Sequence, residues 1–357
     1  MLNRINSLRE LFSQESIDAF LITRPENRFY LTGFTGTSGA VLLTGDDIFL
    51  ITDFRYDEQA REESPHCRVI MISGSLFDVL NELSINHSFG HLGCEGDFMT
   101  QQQFRSLEGE LKNLEVKPLN GLVEQLRLIK DEQEIKLIGD AVSLSDKAFN
   151  HIQPFIREGA IERELALEIE FIMRKSGAEG IAFSFIVASG FRSAMPHGTA
   201  SEKRLQKGEL LIMDFGALLK GYHSDITRTV AVGQADQKML DLYKVVLEAQ
   251  LAGIHAVREG VLASEVDKAA RDVISGYGYG ENFGHSTGHG LGLQIHENPR
   301  VSSQDHTVLK KGMVVTVEPG IYLSGWGGIR IEDTVVVEER GCRILTSSPK
   351  DKLIVCG

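Results

Sequence analysis

The chain has 357 residues, 42% of them hydrophobic, which is long for one domain and comfortable for two. A net charge of -13 without a long basic tract argues against nucleic acid or an anionic membrane as the main partner. Cys67, Cys94, Cys342 and Cys356 are scattered with no C-x-x-C pair, which suits free thiols in a reducing compartment. The amphipathic start, which holds Glu10, lacks the apolar core of a signal peptide. No run of about 18 apolar residues occurs, so a cytoplasmic protein is expected.

In chain order, Leu2, Ile5, Leu8, Leu11 and Phe12 recur at helical spacing, so residues 1–15 are read as a helix. DAFLIT, from Asp18, is a strand. AVLLT and IFLIT flank Gly45-Asp46-Asp47 as a hairpin. The run CRVIMI, the helix LFDVLNEL, the strand FGHLGCE, a helix over 99–111 and the strand VKPL complete a small α/β domain. Nothing in it has ligand spacing. Asp53, Arg55 and Tyr56, at the end of the second hairpin strand, read as structural or interface residues more readily than as substrate-facing ones. The seam falls over 121–130, where a long helical region begins with Lys130, Glu134 and Lys136 on its polar face.

Beyond the seam the sequence repeats. IREGAIERELALEIEF, with Gly159 and Glu164, resembles VREGVLASEVDKAARD, with Gly260 and Glu265, at an offset of 101 residues. In LQKGELLIMDFG and LKKGMVVTVEPG, a carboxylate follows the Lys by seven residues: Lys207 to Asp214, and Lys311 to Glu318. Asp225-Ile226-Thr227 then resembles Glu332-Asp333-Thr334. Three pieces in the same order predict two α/β half-modules about a pseudo-twofold axis, each bringing one carboxylate from its first strand and one from the next. A lone carboxylate inside runs as apolar as LLIMDFG and MVVTVEPG is costly to bury without a partner, and a metal ion is one such partner. Strand alternation puts Thr316, Glu318 and Gly320 on one face.

Among 11 histidines, His285, His289 and His296 lie in a glycine-rich stretch where backbone approaches closely, and His197 follows the strand SFIVAS. His289 is the expected ligand. With Asp214, Asp225, Glu318 and Glu332 it makes an oxygen-rich, cysteine-free set suited to Mn, Co, Fe or Zn. Five ligands suit two ions about 3.5–4 Å apart. His223, two residues before Asp225, is the hardest other histidine to dismiss. The HENP stretch is not a helical H-E-x-x-H motif, and neither G-x-S-x-G nor GxxxxGK[ST] is present.

These blocks resemble, in order, those of the pita-bread-fold metallopeptidases (peptidase M24 family), and within them the Xaa-Pro branch of prolidase and aminopeptidase P. The resemblance implies an α/β chain with a creatinase-like N-terminal domain at 1–125 and a pita-bread catalytic domain at 126–357. It implies that Asp214 is a bidentate ligand of one ion, that Asp225 and Glu332 bridge, and that His289 and Glu318 bind the other. It implies catalytic roles for His197, His285, His296, Glu318 and Arg330: the histidines around the substrate carbonyl, Glu318 in proton transfer, and Arg330 behind the ligands. Phe191 and Arg192 are expected to face the substrate, and Tyr222 to stand behind the ligands. The implied cofactors are two divalent ions per subunit, Mn or Co ahead of Zn or Fe. The implied partners are a peptide with penultimate proline and a second copy of the chain, with no nucleic acid and no membrane. Activity on Xaa-Pro dipeptides, activity on longer Xaa-Pro peptides, and a non-catalytic peptide-binding role remain open at this level.

Overall fold

A computed structural model describes residues 1–357 as two compact units, Met1–Arg127 and Leu128–Gly357. In the first, six strands form one sheet in the order Arg68–Met71, Ile48–Thr52, Ala40–Thr44, Ala19–Ile22, His91–Glu95, Glu115–Leu119. Only Ala40–Thr44 runs antiparallel to its neighbours, and the expected hairpin pairs Leu43 with Ile48. The helices Leu76–Asn86 and Gln101–Glu110 start at capping boxes on Ser75 and Thr100. Their apolar faces, with Leu80, Leu83 and Leu107, close the core over the sheet. Two short helices escaped the periodicity: Pro25–Thr32, bounded by Pro25 and by Gly33 at φ 78°, and Asp57–Glu63. Asp53 and Arg55 pair with each other at 2.7 Å beside the exposed Phe54.

The helical region at the seam is split into Leu122–Arg127 and Glu132–Ile152, the second capped by Asp131. Lys130 and Glu134 are not on a polar outer face. Both are buried, Lys130 against Glu297 at 3.0 Å and Glu134 as acceptor of the Tyr222 hydroxyl at 2.9 Å. Charged residues at helix-face spacing are outward by default, and here buried partners overrule that default.

The second unit holds the two repeats. One sheet runs Ile354–Cys356, Ile226–Val232, Leu210–Phe215, Ile186–Ser189; the other runs Glu297–Val301, Gly288–Gly290, Val314–Val317, Asp333–Glu338, Gly341–Ile344. Each half opens on a left-handed glycine, Gly159 at φ 84° and Gly260 at φ 85°. A single bridge pair follows, Ile161 with Arg204 and Leu262 with Val308, and then the helices Glu162–Lys175 and Ala263–Gly276. Gly208 and Gly312, at φ 83° and 88°, turn the chain into the carboxylate-bearing strands.

Candidate metal centre

Asp214 lies in the strand Leu210–Phe215, directly opposite Thr227, and Asp225 stands at the mouth of that same pairing. In the second half Glu318 follows Val314–Val317, Glu332 precedes Asp333–Glu338, and Val317 faces Asp333. Threonines stitch the halves together. Thr227 Oγ1 donates to Glu332 Oε2 at 2.7 Å, Thr229 Oγ1 to the Arg330 carbonyl at 2.8 Å, and Thr334 Oγ1 to the Asp225 carbonyl at 2.9 Å. The strand ends of both repeats thus converge, which is why residues 118 apart in sequence, Asp214 and Glu332, share one spot.

Asp214, Asp225 and Glu332 are all buried, with ligand atoms within 4.8 Å of one another. One oxygen of each, Asp214 Oδ1, Asp225 Oδ1 and Glu332 Oε1, is buried with no N–H or O–H donor. Buried acceptors rarely lack a partner, and three together make a donor set for a cation. Burial, together with the neighbouring carboxylates, pushes Asp225 and Glu332 well above the ordinary carboxyl range, and burial also pushes Glu318 up.

His289 Nε2 lies 3.5 Å from Asp225 Oδ2 and 3.4 Å from Glu318 Oε1. Its Nδ1 donates to the Gly290 carbonyl at 3.0 Å, which leaves Nε2 as the ring atom turned toward the two carboxylates. One imidazole nitrogen converging with two carboxyl groups is a donor set suited to a divalent ion. Residues and geometry therefore fit divalent metal. Thr316 Oγ1 receives the His289 amide at 3.0 Å and donates to Glu318 Oε1 at 3.1 Å, on the face that alternation predicts. Close backbone requires glycine at Gly288, where a Cβ would stand 2.0 Å from the Thr316 carbonyl.

A chain of polar groups leads away from the carboxylates. Arg330 Nη2 donates to Asp214 Oδ2 at 2.5 Å, and its Nη1 donates to Tyr322 Oη at 2.8 Å. Tyr322 Oη stands 2.8 Å from His285 Nε2, while His285 Nδ1 meets the Ser286 carbonyl at 2.8 Å. The phenol therefore accepts from Arg330 and donates to His285. Burial and the nearby Arg330 push His285 down to about 4, so the ring is neutral. Burial works against the charge of Arg330, but Tyr322 and Asp214 more than restore it. His285, expected to hold the substrate carbonyl, instead has both ring nitrogens engaged within the protein.

His296 lies edge-on to His289 with ring centres 4.4 Å apart, and burial beside that imidazole pushes it down to about 4. His197 is exposed on the loop beyond Ile186–Ser189, next to Pro196, whose carbonyl accepts from Arg330 Nη1 at 3.3 Å. Phe191 is exposed on this loop. Arg192, expected to face substrate, is turned back: its Nε donates to Glu162 at 3.0 Å and its Nη2 to the Thr199 carbonyl. Tyr222 directs its hydroxyl to Glu134, and His223 directs its Nδ1 to the Gly292 carbonyl at 3.2 Å. Tyr322 is absent from the residues expected at the site, although extending the alternation of Thr316, Glu318 and Gly320 by one step reaches it.

The family model for the Creatinase/Prolidase N-terminal domain matches residues 4–129, and that for Metallopeptidase family M24 matches residues 136–339. The chain is 41% identical to a Xaa-Pro dipeptidase of Pyrococcus furiosus, over 99% of this chain and 100% of that protein. Among solved structures it is similar to a Xaa-Pro dipeptidase from Bacillus anthracis, with TM-score 0.97, 45% identity and 99% of each chain covered. It is also similar to an X-Pro aminopeptidase from Thermotoga maritima, with TM-score 0.91, 40% identity, and 95% of this chain and 98% of that one covered. With its paired half-modules, its converging carboxylates and these matches along its length, the chain belongs to metallopeptidase family M24, and carries the creatinase/prolidase-type N-terminal domain ahead of a pita-bread catalytic domain.

Proposed function

We propose that this chain is a metal-dependent exopeptidase that releases the N-terminal residue from peptides with proline in second position, with Xaa-Pro dipeptides as its main substrates. The observation that carries this reading is the set of three buried carboxylates, each with an oxygen that no protein donor reaches. The Xaa-Pro dipeptidases to which the chain is similar along its length supply the substrate class.

Asp214, Asp225, His289, Glu318 and Glu332 would together hold two divalent ions, and Mn or Co suits this oxygen-rich set. Ions bound there would supply a Lewis-acid field that polarises the scissile carbonyl and acidifies the attacking water. Glu318 takes the proton of that water on its carboxylate and delivers it to the departing proline nitrogen. Its Oε1 is already oriented by Thr316 Oγ1. Neutral His296 donates an N–H to the carbonyl oxygen as charge develops there, and His197, on the exposed loop, flanks the substrate. Arg330 holds Asp214 in place through Oδ2, and His285 steadies Tyr322 behind it. The protein works as a homodimer in the cytoplasm.

A second reading, cleavage of longer Xaa-Pro peptides, is favoured by the similarity to an X-Pro aminopeptidase at 40% identity. The test is hydrolysis of a Xaa-Pro dipeptide, a Xaa-Pro-Yaa tripeptide, a longer Xaa-Pro peptide and a Met-Ala peptide by metal-stripped chain resupplied with Mn, Co or Zn, with oligomeric state read by light scattering. Cleavage of the dipeptide alone is the expected result. Cleavage of the longer peptides before proline selects the second reading. Folded protein inert with every metal would overturn both.

A further inference from the structure

Asp267 and Arg271 lie on the helix Ala263–Gly276, outside the carboxylate cluster, and no step above uses them. Asp267 is fully buried. Its Oδ1 accepts from the Thr287 amide at 3.1 Å, from Thr287 Oγ1 at 2.8 Å and from Arg271 Nη2 at 2.8 Å, and its Oδ2 accepts from Arg271 Nε at 3.0 Å. Arg271 then reaches the same segment from its other side. Its Nη1 donates to the Phe283 carbonyl and its Nη2 to the His285 carbonyl, both at 2.9 Å, and its guanidinium lies 4.2 Å from the centre of the Phe283 ring. Residues 283, 285 and 287 are therefore all held by one ion pair one helical turn apart.

What that segment touches next gives the pair its meaning. The Thr287 carbonyl accepts the Glu318 amide at 2.7 Å. His285 reaches Tyr322, and through it Arg330 and Asp214, while His289 follows Thr287 by two residues. The first half of the domain uses the same device. Buried Glu162, also on the opening helix of its repeat, accepts from the amide and hydroxyl of Ser189 at 2.7 and 2.8 Å and pairs with Arg192 at 3.0 Å, at the root of the His197 loop. Each repeat thus carries, at a different position of its opening helix, a buried carboxylate that holds an amide and a hydroxyl at the base of a histidine-bearing segment.

We propose that Asp267 and Arg271 are positioning residues of the metal centre: the pair sets the backbone of residues 283–287 so that Glu318 and His289 meet the acidic cluster and His285 meets Tyr322. The kinetic part of this inference rests on the peptidase reading above; the structural part does not. The test compares the wild-type chain with Arg271→Met, Asp267→Asn and the conservative Arg271→Lys. Three readouts are taken: amide hydrogen exchange by segment, titration of metal-stripped protein with cobalt(II) alone followed by its visible absorption, and kcat and KM on a Xaa-Pro dipeptide.

Arg271→Met is expected to speed exchange in residues 283–289 while the helix Glu132–Ile152 keeps its protection. Cobalt affinity should weaken by about 10–100-fold, as for outer partners of metal ligands. In kinetics, kcat should fall by a similar factor with KM moved by less than about threefold, and Arg271→Lys should recover part of each effect. Wild-type exchange and wild-type cobalt affinity in Arg271→Met would overturn the proposal, as would faster exchange spread evenly over the unit. If the buried change Asp267→Asn fails to fold, the half-exposed Arg271 position still decides the matter. If the wild-type chain cleaves no Xaa-Pro peptide, the peptidase reading falls, and the exchange and cobalt measurements still judge the clamp.

Discussion

Glu332 and Asp333 are neighbours, both buried, and alternation along the extended chain that enters the strand Asp333–Glu338 turns their side chains to opposite faces. On one face Asp333 is filled on every side. Its Oδ1 accepts from Arg228 Nη2 at 2.9 Å and from Thr346 Oγ1, and its Oδ2 accepts from Gln250 Nε2 at 2.9 Å and from Lys350 Nζ. On the other face Glu332 receives Thr227 on one oxygen and nothing from the protein on the second. Burial pushes both carboxyls up, but Arg228 and Lys350 hold Asp333 below its ordinary value, whereas Asp225 and Glu318 drive Glu332 further up. Burial of a carboxylate therefore does not mark a site. In the N-terminal unit Glu95 is as deeply buried and takes the amides of Thr23 and Arg24 and the amide nitrogen of Asn27. What marks the site is an acceptor that the fold leaves unmatched.

The comparison breaks most visibly under substitution at its two ends. Glu332→Gln should lower kcat/KM on a Xaa-Pro dipeptide by on the order of 10³-fold or more, the several kcal/mol that metal-ion charge stabilisation supplies. The same change should leave the thermal midpoint of the metal-free protein unchanged or higher, because it relieves repulsion with Asp225. Calorimetry of metal-free protein beside steady-state kinetics reads both. Asp333→Asn should do the reverse. It strands Arg228 and Lys350 in the interior and should destabilise the unit by about 3–5 kcal/mol in urea unfolding, with the residual activity of folded protein near wild type.

Metal removal gives the next effect. Added Mn should raise the stability of metal-free wild type by about 2.7 kcal/mol at a hundred times its dissociation constant, and should raise that of Glu332→Gln by much less. The two faces should also answer pH with opposite sign. Asp333, held down, contributes stability that is present above its ordinary value of 3.8 and is lost as pH falls through the lower folded value. Asp225 and Glu332, held up, bind protons in the folded metal-free chain that the unfolded chain has released. Metal-free stability therefore falls as pH rises from about 4.5. A pH series of urea midpoints checks this: Glu332→Gln should flatten the high-pH fall, and Asp333→Asn should flatten the acid loss. The smallest effect is expected at Tyr322. Tyr322→Phe removes the hydroxyl between Arg330 and His285, and should lower kcat by about tenfold with a stability change near 1 kcal/mol.

Much of this was legible in the sequence, for physical reasons. Carboxylates in apolar strand runs and glycine-flanked histidines are conspicuous, and a repeat can be read without knowing its contacts. The spacing placed Asp214, Asp225 and Glu332 at corresponding strand ends, which the fold brings within 4.8 Å. Partners chosen by tertiary structure were not legible. Lys130 and Glu134 carry the signature of an outer helix face, and Glu297 and Tyr222, more than 85 residues away, meet them in the interior. Arg192 reads as a loop cation free for substrate until Glu162 is seen beside it. Asp333 and Glu332 read as equals in sequence. Nothing local tells which of the two meets Arg228.

The central claim is that the unmatched oxygens of Asp214, Asp225 and Glu332 are a metal centre. Isothermal titration of metal-stripped chain with Mn, repeated in two buffers of different ionisation enthalpy, tests it most directly. The expected result is two ions per chain, with protons released to the buffer as the raised carboxyls give them up, and loss of the tighter ion in Glu332→Gln but not in Asp333→Asn. Absence of saturable binding by the folded wild-type chain, or equal binding by Glu332→Gln, would contradict it.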